Sequence, residues 1–342
     1  MPSPQFLVGL DLGSEQFTAA LATLPWQLCG APHTFDNNPE GFMGLYTWLV
    51  QQQVVPAETV CVLEATGVYS EGVCHFLVAQ QFQVCVEPPQ AVKRAFPVHG
   101  HKNDAVDSQH LAEYAYRYAD QLHPWQPRPE RLEQLKVLLT MREQFVSQRT
   151  AQQNALHALQ RKAVRTPRAE ELYRESIAYL QTQLKALDAE IRRWFDQDPH
   201  LKELLLLLLT IPGVGVLLAT HVLVLTQCTP ALGDPAKLAA HWGISPYEHT
   251  SGKSVYGKPR SRRTGPDAPR KLLYLAALSL RQHQADFERY YLRKRAEGKP
   301  ARLVLNNIEN KLVRLICGIL RTQQPYISNY RSINPAVLQT AS

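Results

Sequence analysis

Two aspartates, Asp104 and Asp107, stand three residues apart at the start of a helical pattern that continues to residue 115. Residues three apart on a helix share one face, so both side chains can reach the same point. Two carboxylates at one point repel each other unless a cation, a proton or a basic group lies between them. Hard divalent ions such as Mg²⁺ take oxygen ligands of this kind, so the pair indicates a metal site. The alternative is negative charge that complements the dipole of a helix start.

Two further carboxylates, Asp11 and Glu64, come near the ends of apolar runs that predict buried strands, residues 6–13 and 59–67. A buried strand seldom ends in an unpaired carboxylate by chance. Together with the helical pair, they predict a catalytic set that holds one or two Mg²⁺ ions against a scissile phosphate. The alternative is two helix caps and an ion pair.

The elements that would position these carboxylates follow the order three strands, helix, strand, helix, strand, helix. Residues 17–24 and 26–35 supply the second and third strands, and a helix opens at Asn38. This α/β order is the layout of the ribonuclease H-like fold. An actin-like ATPase is the rival, because residues 9–14 resemble its first phosphate-binding hairpin. That fold needs a second Asp-x-Gly hairpin and a glycine-rich loop, and the sequence has neither.

The middle of the chain predicts a helical hairpin. Three prolines between residues 124 and 129 mark a domain boundary, and a long leucine-rich helical pattern follows until Pro167. Beyond Pro167, apolar residues alternate in steps of four and three up to Trp194, the heptad of a coiled coil. The hairpin could pair with a second copy of the chain, or it could simply pack within its own chain.

Two features of the C-terminal region suit a polyanion. Gly213 and Gly215 have the pattern of a helix-hairpin-helix turn, whose backbone N–H groups can approach a phosphate; close helix packing is the alternative. The second feature is a basic, glycine-rich segment, residues 251–263, which predicts a loop or short hairpin on a polyanion. Its cations are Lys253, Lys258, Arg260, Arg262 and Arg263.

Ser251, at the start of this segment, precedes a glycine, so its hydroxyl is little crowded. An exposed serine among cations could attack a phosphodiester if a metal or base helps to deprotonate it. A phosphate-binding turn is the alternative. Further on, residues 289–302 combine six basic residues with Tyr290 and Tyr291, a mixture that suits nucleic acid or a solvated helix face.

Composition narrows the class of protein. The 342 residues carry a net charge of +7, with a pI of about 9.1, which favours an anionic partner and nucleic acid first. The six cysteines form no Cys-x-x-Cys pair, which fits a reducing cytosol rather than a zinc site. No signal peptide is expected, and the leucine run 204–209 is too short to span a membrane. The expected location is therefore the cytoplasm.

The motifs, in this order and spacing, resemble the DEDD-type insertion-sequence transposases of the IS one-ten family, relatives of the Piv invertases that are now called bridge-RNA-guided recombinases. The marks are Asp11, the Glu-Ala-Thr-Gly of 64–67, the Asn-Asp-Ala-Val-Asp of 103–107, the Ile-Pro-Gly-Val-Gly of 211–215, and the Ser-Gly-Lys-Ser of 251–254, with Gly257 and Arg270 downstream. The resemblance runs nearly end to end. Two positions differ from the usual pattern: Ser14 stands where a lysine is common, and residues 265–269 contain two prolines.

The resemblance implies three regions: a RuvC-like domain at 1–124, a coiled-coil linker at 125–200 and a mainly α-helical serine transposase domain at 201–342. It implies that Asp11, Glu64, Asp104 and Asp107 bind Mg²⁺ and that Ser251 forms a transient phosphoserine link to DNA. Lys102, beside the aspartate pair, is an expected nucleic-acid contact.

The resemblance also implies the partners. A structured bridge RNA from the element would pair with donor and target DNA, and homodimers would assemble into tetramers with a composite site. Two rival functions stay open. In a metal-dependent junction nuclease, water would attack and Ser251 would only bind; a catalytically silent RNA-binding protein would tolerate the loss of Asp11 and Glu64.

Overall fold

The computed structural model describes residues 4–96, 103–228, 234–251, 255–261 and 265–328, without the side chains of 248–251 and 255–260. The chain divides into two compact units, residues 1–127 and 128–342. Within the described ranges, no helix is both long and apolar enough to cross a membrane.

A six-stranded mixed sheet forms the first unit. Its strands are β1 (Phe6–Leu12), β2 (Gln16–Thr23), β3 (Gln27–Leu28), β4 (His33–Asp36), β5 (Thr59–Glu64) and β6 (Gln83–Glu87). They lie in the order β3-β2-β1-β5-β6, and β4 also pairs with β2. Strand β1 is antiparallel to β2 and parallel to β5, and β5 is parallel to β6. This arrangement confirms the predicted ribonuclease H-like, RuvC-like layout. The predicted third strand is split into β3 and β4, because the chain turns through Gly30 at a φ of 74°.

Helices cover both faces of this sheet. They are α1 (Pro39–Gln51), α2 (Val68–Ala79), α3 (Pro89–Ala95) and α4 (Asp104–Arg117), and a 3₁₀ turn at Pro56–Glu58 leads into β5. Helices α1 and α2 pack on one face, whereas α3 and α4 pack on the other. Asn38 caps α1, since its side-chain oxygen accepts from the Gly41 amide at 2.9 Å. The sequence predicted this helix start; it did not predict α3.

Gly9 lets α4 lie directly on β1. A Cβ atom at this position would be 2.0 Å from the carbonyl oxygen of Ser108 and 2.3 Å from the amide nitrogen of Ala112. Any larger residue would therefore push the helix off the strand. The contact fixes α4 over the strand that carries Asp11.

The second unit begins with a helical hairpin, α5 (Glu130–Gln160) and α6 (Pro167–Asp196). Pro167, predicted to interrupt the pattern, is the first residue of α6. The two helices pack antiparallel: Arg142 on α5 pairs with Asp188 on α6 at 2.6 Å. Pairing of this hairpin with a second copy stays a prediction.

The rest of the second unit is mainly helical around one apolar core. Its elements are α7 (Pro199–Leu209), α8 (Val216–Thr226), α9 (Pro235–His241), β7 (Pro246–Ser251), β8 (Val255–Ser261), α10 (Asp267–His283), α11 (Ala285–Ala296) and α12 (Ala301–Thr322). Leu208, Trp242, Leu273 and Ile316 are among the most deeply buried residues of this core. The basic segment forms an antiparallel hairpin of β7 and β8, one of the two conformations that the sequence predicted.

Candidate active site

Asp11 and Glu64 lie side by side at one edge of the sheet. In β1, Leu7 belongs to the apolar cluster under α4, and Asp11, four residues later, faces the same way. In β5, Val62 belongs to that cluster too, so Glu64 also lies on the α4 face. Leu10 pairs with Leu63 in the parallel ladder, which makes the following two residues neighbours at the carboxyl ends of their strands.

Helix α4 brings the aspartate pair to the same corner. Its middle, at Ser108 and Ala112, crosses Gly9, and its later residues pack among side chains that precede Asp11 and Glu64 in their strands. The helix therefore runs back along β1, and its first turn lies toward the carboxylate end. Asp104 and Asp107 precede the sheet-facing Ser108 and Leu111 by one turn each, so they extend the face that covers the sheet.

All four carboxylates are reachable from solvent. Asp11, Glu64 and Asp107 are half-buried, and Asp104 is exposed. The cap of α4 is Asn103, whose side-chain oxygen accepts from the Ala105 amide at 2.9 Å, so the aspartates are not needed as caps.

Their donor chemistry and shared corner suit Mg²⁺. In the part of the chain that is described, however, no three His, Cys, Asp or Glu side chains are close enough to hold one ion together. Side-chain rotation would have to gather the carboxylates around a metal.

A fifth carboxylate, Glu87, extends this row and was not singled out from the sequence. It ends β6, pairs with Glu64 in the ladder, and accepts a hydrogen bond from the Tyr114 hydroxyl at 3.5 Å. Burial and the Glu87 charge raise the pKa of Tyr114, which keeps the phenol protonated as the donor. The pattern of a buried strand ending in a carboxylate could have identified Glu87.

The loops at this edge are tied together by Asn37. Its side-chain amide donates to the Gly13 carbonyl at 2.9 Å and to the Tyr69 carbonyl at 3.0 Å. It thereby joins the turn after β1 to the start of α2. Val68 and Tyr69 are 73% and 50% exposed there, so this edge of the sheet also carries a small exposed apolar patch.

Ser251 is the last residue of β7 and pairs with Val255, the first residue of β8. Lys258 and Arg260 lie on β8, and their side chains, like that of Ser251, are not described. Lys102, Lys253, Arg262 and Arg263 fall outside the described residues.

The base of this hairpin is held by α9 and α12. The Ile244 carbonyl, two residues before β7, accepts hydrogen bonds from the side-chain amides of Asn306 at 3.0 Å and Asn310 at 3.2 Å. On the return side, a Cβ at Gly265 would lie 2.0 Å from the His241 carbonyl oxygen. Sequence reasoning missed Asn306 and Asn310, because no local pattern marks a contact with a partner 62 or 66 positions away.

The predicted phosphate-binding turn has a packing role at one of its two glycines. Gly213 has a φ of 82°, and a Cβ there would lie 3.0 Å from the Ala276 carbonyl on α10. Gly215 has open space around it and precedes α8, which has no side-chain cap. A phosphate contact at this helix start stays a prediction.

Two family models match the chain. The IS110 DEDD transposase model, described as "Transposase", matches residues 8–164, and the model described as "Transposase IS116/IS110/IS902 family" matches residues 205–292. The two matches together cover most of the sequence. This chain belongs to the IS110 family of transposases. The four carboxylates of this IS110-family transposase lie in the first matched region and Ser251 in the second.

Curated relatives span almost the whole of this IS110-family chain. It is 26% identical to the pilin gene-inverting protein of Moraxella bovis over 329 residues, 93% of this chain and 97% of that protein. The values for the Moraxella lacunata protein of the same name are equal. An uncharacterized 43.6 kDa protein of insertion element IS110 from Streptomyces coelicolor is 27% identical over 167 residues, 49% of this chain and 39% of that protein.

Among solved structures, T. thermophilus RuvC in complex with a Holliday junction substrate aligns with 35% of this transposase and 99% of RuvC, at 10% identity and a TM-score of 0.29.

Proposed function

We propose that this chain is an RNA-guided DNA recombinase that excises its insertion sequence and inserts it at a new site. The observation that carries the proposal is the corner where Asp11 and Glu64, on adjacent parallel strands, meet the α4 turn of Asp104 and Asp107. This corner belongs to a domain that matches the DEDD transposases. Ser251, the last residue of β7, is the proposed nucleophile.

In the first step, the Ser251 hydroxyl gives up its proton and its oxygen attacks a phosphorus of the DNA backbone. The Oγ–P bond forms, the P–O bond to one deoxyribose breaks, and the departing sugar oxygen takes up a proton and leaves as a hydroxyl. The energy of the broken phosphodiester is conserved in the phosphoserine ester. Strand exchange and resealing therefore need no ATP.

In the second step, a hydroxyl from the exchanged strand attacks the phosphoserine. A new phosphodiester forms, and the serine hydroxyl is regenerated with the proton of the attacking group. The hairpin must hold Ser251 in line with the incoming strand for both steps.

Asp11, Glu64, Asp104 and Asp107 would hold Mg²⁺, which neutralises charge on the phosphate and on the attacking and leaving oxygens. The cations near the hairpin and at the start of α4 would hold the DNA backbone by charge. They are Lys102, Lys253, Lys258, Arg260, Arg262 and Arg263. The start of α8, at Gly213 and Gly215, would contribute backbone N–H contacts.

A structured bridge RNA would supply the sequence recognition by pairing with donor and target DNA. The α5–α6 hairpin, within the proposed linker at 125–200, would join homodimers that assemble into tetramers. The carboxylates of one subunit would then act with Ser251 of another. Purified protein should carry one discrete RNA with defined ends, and a mixture of random cellular RNA would contradict RNA guidance.

Site-specific inversion is a second candidate for the reaction outcome. The relatives that match nearly the full length of the chain are named as pilin gene-inverting proteins. Inversion would use the two steps proposed above, with the recombining sites in the opposite relative orientation. A plasmid with sites in direct or inverted orientation would separate the two outcomes.

The first experiment seeks the covalent intermediate. Supercoiled DNA carrying the element's ends is incubated with protein, co-purified RNA and Mg²⁺, stopped in detergent and examined for DNA attached to protein. We expect an adduct with the wild type, none with Ser251→Ala, and none with Asp11→Ala or Glu64→Ala. Cut DNA without an adduct, equal in wild type and Ser251→Ala, would establish water as the nucleophile and favour a junction nuclease.

A further inference from the structure

Three cations and one tyrosine lie close together on α11 and α12. Arg293, Lys311 and Arg314, together with Tyr290, are called the cation cluster here. The Lys311 Nζ lies 3.9 Å from the centroid of the Tyr290 ring, and the Arg293 guanidinium carbon lies 5.7 Å from it. Both distances fit cation–π contacts, so the ring holds two positive charges close together.

Hydrogen bonding to Lys294 lowers the pKa of Glu297 and the charge of Arg293 lowers it further, so one carboxylate lies near the edge of the cluster. Neighbouring cations are paired: Lys294 with Glu297, and Arg289 with Asp286. In the described part of the chain, no ion pair joins Arg293, Lys311 or Arg314 to a carboxylate. Partial burial lowers the pKa of Lys311, and the charges of Arg293, Arg314 and Lys294 lower it further.

Cations that repel one another on a folded surface are stabilised when an anion binds among them.

A cavity lies against the cluster. It has a volume of about 360 Å³ and is lined by Asp286, Phe287, Tyr290, Lys311, Arg314 and Leu315. Pockets that enclose small ligands begin at roughly 300 Å³. The lining combines the cations Lys311 and Arg314 with apolar groups. Its carboxylate, Asp286, is paired with Arg289, so the cavity suits a ligand with a charged phosphate and a less polar remainder.

We propose that the cation cluster binds the phosphodiester backbone of a nucleic-acid strand and that the adjoining cavity receives part of one nucleotide. Tyr290 acts as a platform for the cations rather than as a stacking surface, because Lys311 and Arg293 already lie over its ring. This proposal rests on the proposed function only because it takes nucleic acid as the partner. The cation cluster is distinct from the Ser251 hairpin, and binding there involves no reaction step.

The test measures binding without catalysis. A fluorescent RNA oligonucleotide and a DNA duplex of the same sequence are titrated with the full chain, without Mg²⁺, over a range of salt concentrations. We expect Lys311→Gln/Arg314→Gln to weaken binding about tenfold at low salt. The salt slope should fall by about 0.7 per lost phosphate contact on a single strand and about 0.9 on duplex DNA.

Matched variants separate the cluster from bulk charge. Arg321→Gln removes one positive charge from the end of the same helix, as Arg314→Gln does within the cluster, and should change binding much less than Arg314→Gln. Tyr290→Phe keeps the ring and should bind like wild type, whereas Tyr290→Leu removes the platform and should weaken binding. Far-UV circular dichroism of each variant confirms folding.

Each outcome decides one question. Weaker binding of RNA alone, of DNA alone or of both identifies which backbone the cluster holds. Equal affinity and slope for Arg314→Gln and Arg321→Gln, with both probes, overturns the proposal. Failure of the proposed recombination chemistry would appear separately, as a missing covalent adduct with the binding differences intact.

Discussion

At the scale of single residues, the most constrained position near the carboxylates is Gly9. Its hydrogen is the only substituent that fits beneath α4, since a Cβ would overlap backbone atoms of Ser108 and Ala112 rather than a flexible side chain. The same contact sets how far the α4 aspartates stand from Asp11. Stability of the first unit and geometry of the carboxylate corner thus depend on one missing methyl group.

Gly9→Ala should destabilise the first unit by about 3 kcal/mol, in the upper part of the range for overpacked cores, because backbone must move. Gly44→Ala is the matched control: on α1 the added Cβ would be 3.4 Å from the Phe35 ring, an ordinary contact. Chemical denaturation of the full chain measures both. Equal stability of the two variants would show that α4 does not rest on β1 in this way.

Strand ends and helix spacing are local signals. Sequence patterns could therefore single out Asp11, Glu64, Asp104 and Asp107 as candidate metal ligands. They could not reach Asn37, whose two hydrogen bonds join loops that meet only in the folded sheet. Glu87 has the same local pattern as Glu64, a carboxylate at the end of a buried strand. Its place beside the other carboxylates becomes visible only in the pairing of Glu87 with Glu64.

At the scale of elements, the β7–β8 hairpin is held at its root. Asn306 and Asn310 on α12 both donate to the Ile244 carbonyl, so the direction in which the chain enters β7 depends on a helix far along the sequence. If Ser251 is the nucleophile, these amides position it without touching DNA.

Asn306→Ala/Asn310→Ala should slow formation of the Ser251–DNA adduct about tenfold while leaving DNA affinity unchanged. Each hydrogen bond is worth about 1 kcal/mol, and an orphaned carbonyl adds to the loss. Asn307→Ala, one position along the same helix, is the control. Single-turnover adduct formation and DNA binding are measured in parallel. A loss of affinity equal to the loss of rate would instead make these residues part of a binding surface.

Periodicity predicted most of these elements, including α1, α10 and the hairpin of α5 and α6. Periodicity missed two features. The third strand breaks where the chain turns at Gly30, and α3, with only seven residues, is too short to show a helical period. The root of the hairpin was beyond prediction because its contacts are distant in sequence.

At the scale of the molecule, two of the buried ionisable groups of the second unit, His221 and Glu309, have opposite effects on stability. His221 on α8 lies 3.3 Å from Glu143 on α5, but burial lowers its pKa from 6.5 to about 4, so the imidazole is neutral at pH 7. Glu309 on α12 is buried too, and burial raises its pKa from 4.5 to about 7 despite the charges of Arg302 and Arg270.

The signs follow from which state binds more protons. Between pH 4.5 and 6.5, the unfolded chain protonates His221 and the folded chain does not, so this group destabilises the fold as pH falls. In the same window the folded chain protonates Glu309 and the unfolded chain does not, so this group destabilises the fold as pH rises. Each effect amounts to about 2 kcal/mol across the window, and the two roughly offset each other.

Each single variant should therefore expose the effect of the other group. Glu309→Gln should make stability rise by about 2 kcal/mol from pH 4.5 to 6.5, because Glu309 then no longer offsets His221. His221→Gln should make stability fall over the same range, helped by Glu143, whose pKa burial also raises. Urea unfolding of the full chain, followed by far-UV circular dichroism, gives the three pH profiles. Parallel profiles of stability against pH for wild type and both variants would mean that neither group is buried as described. Slopes of opposite sign for the two variants would show that a neutral histidine and a protonated glutamate offset each other in the core of this unit.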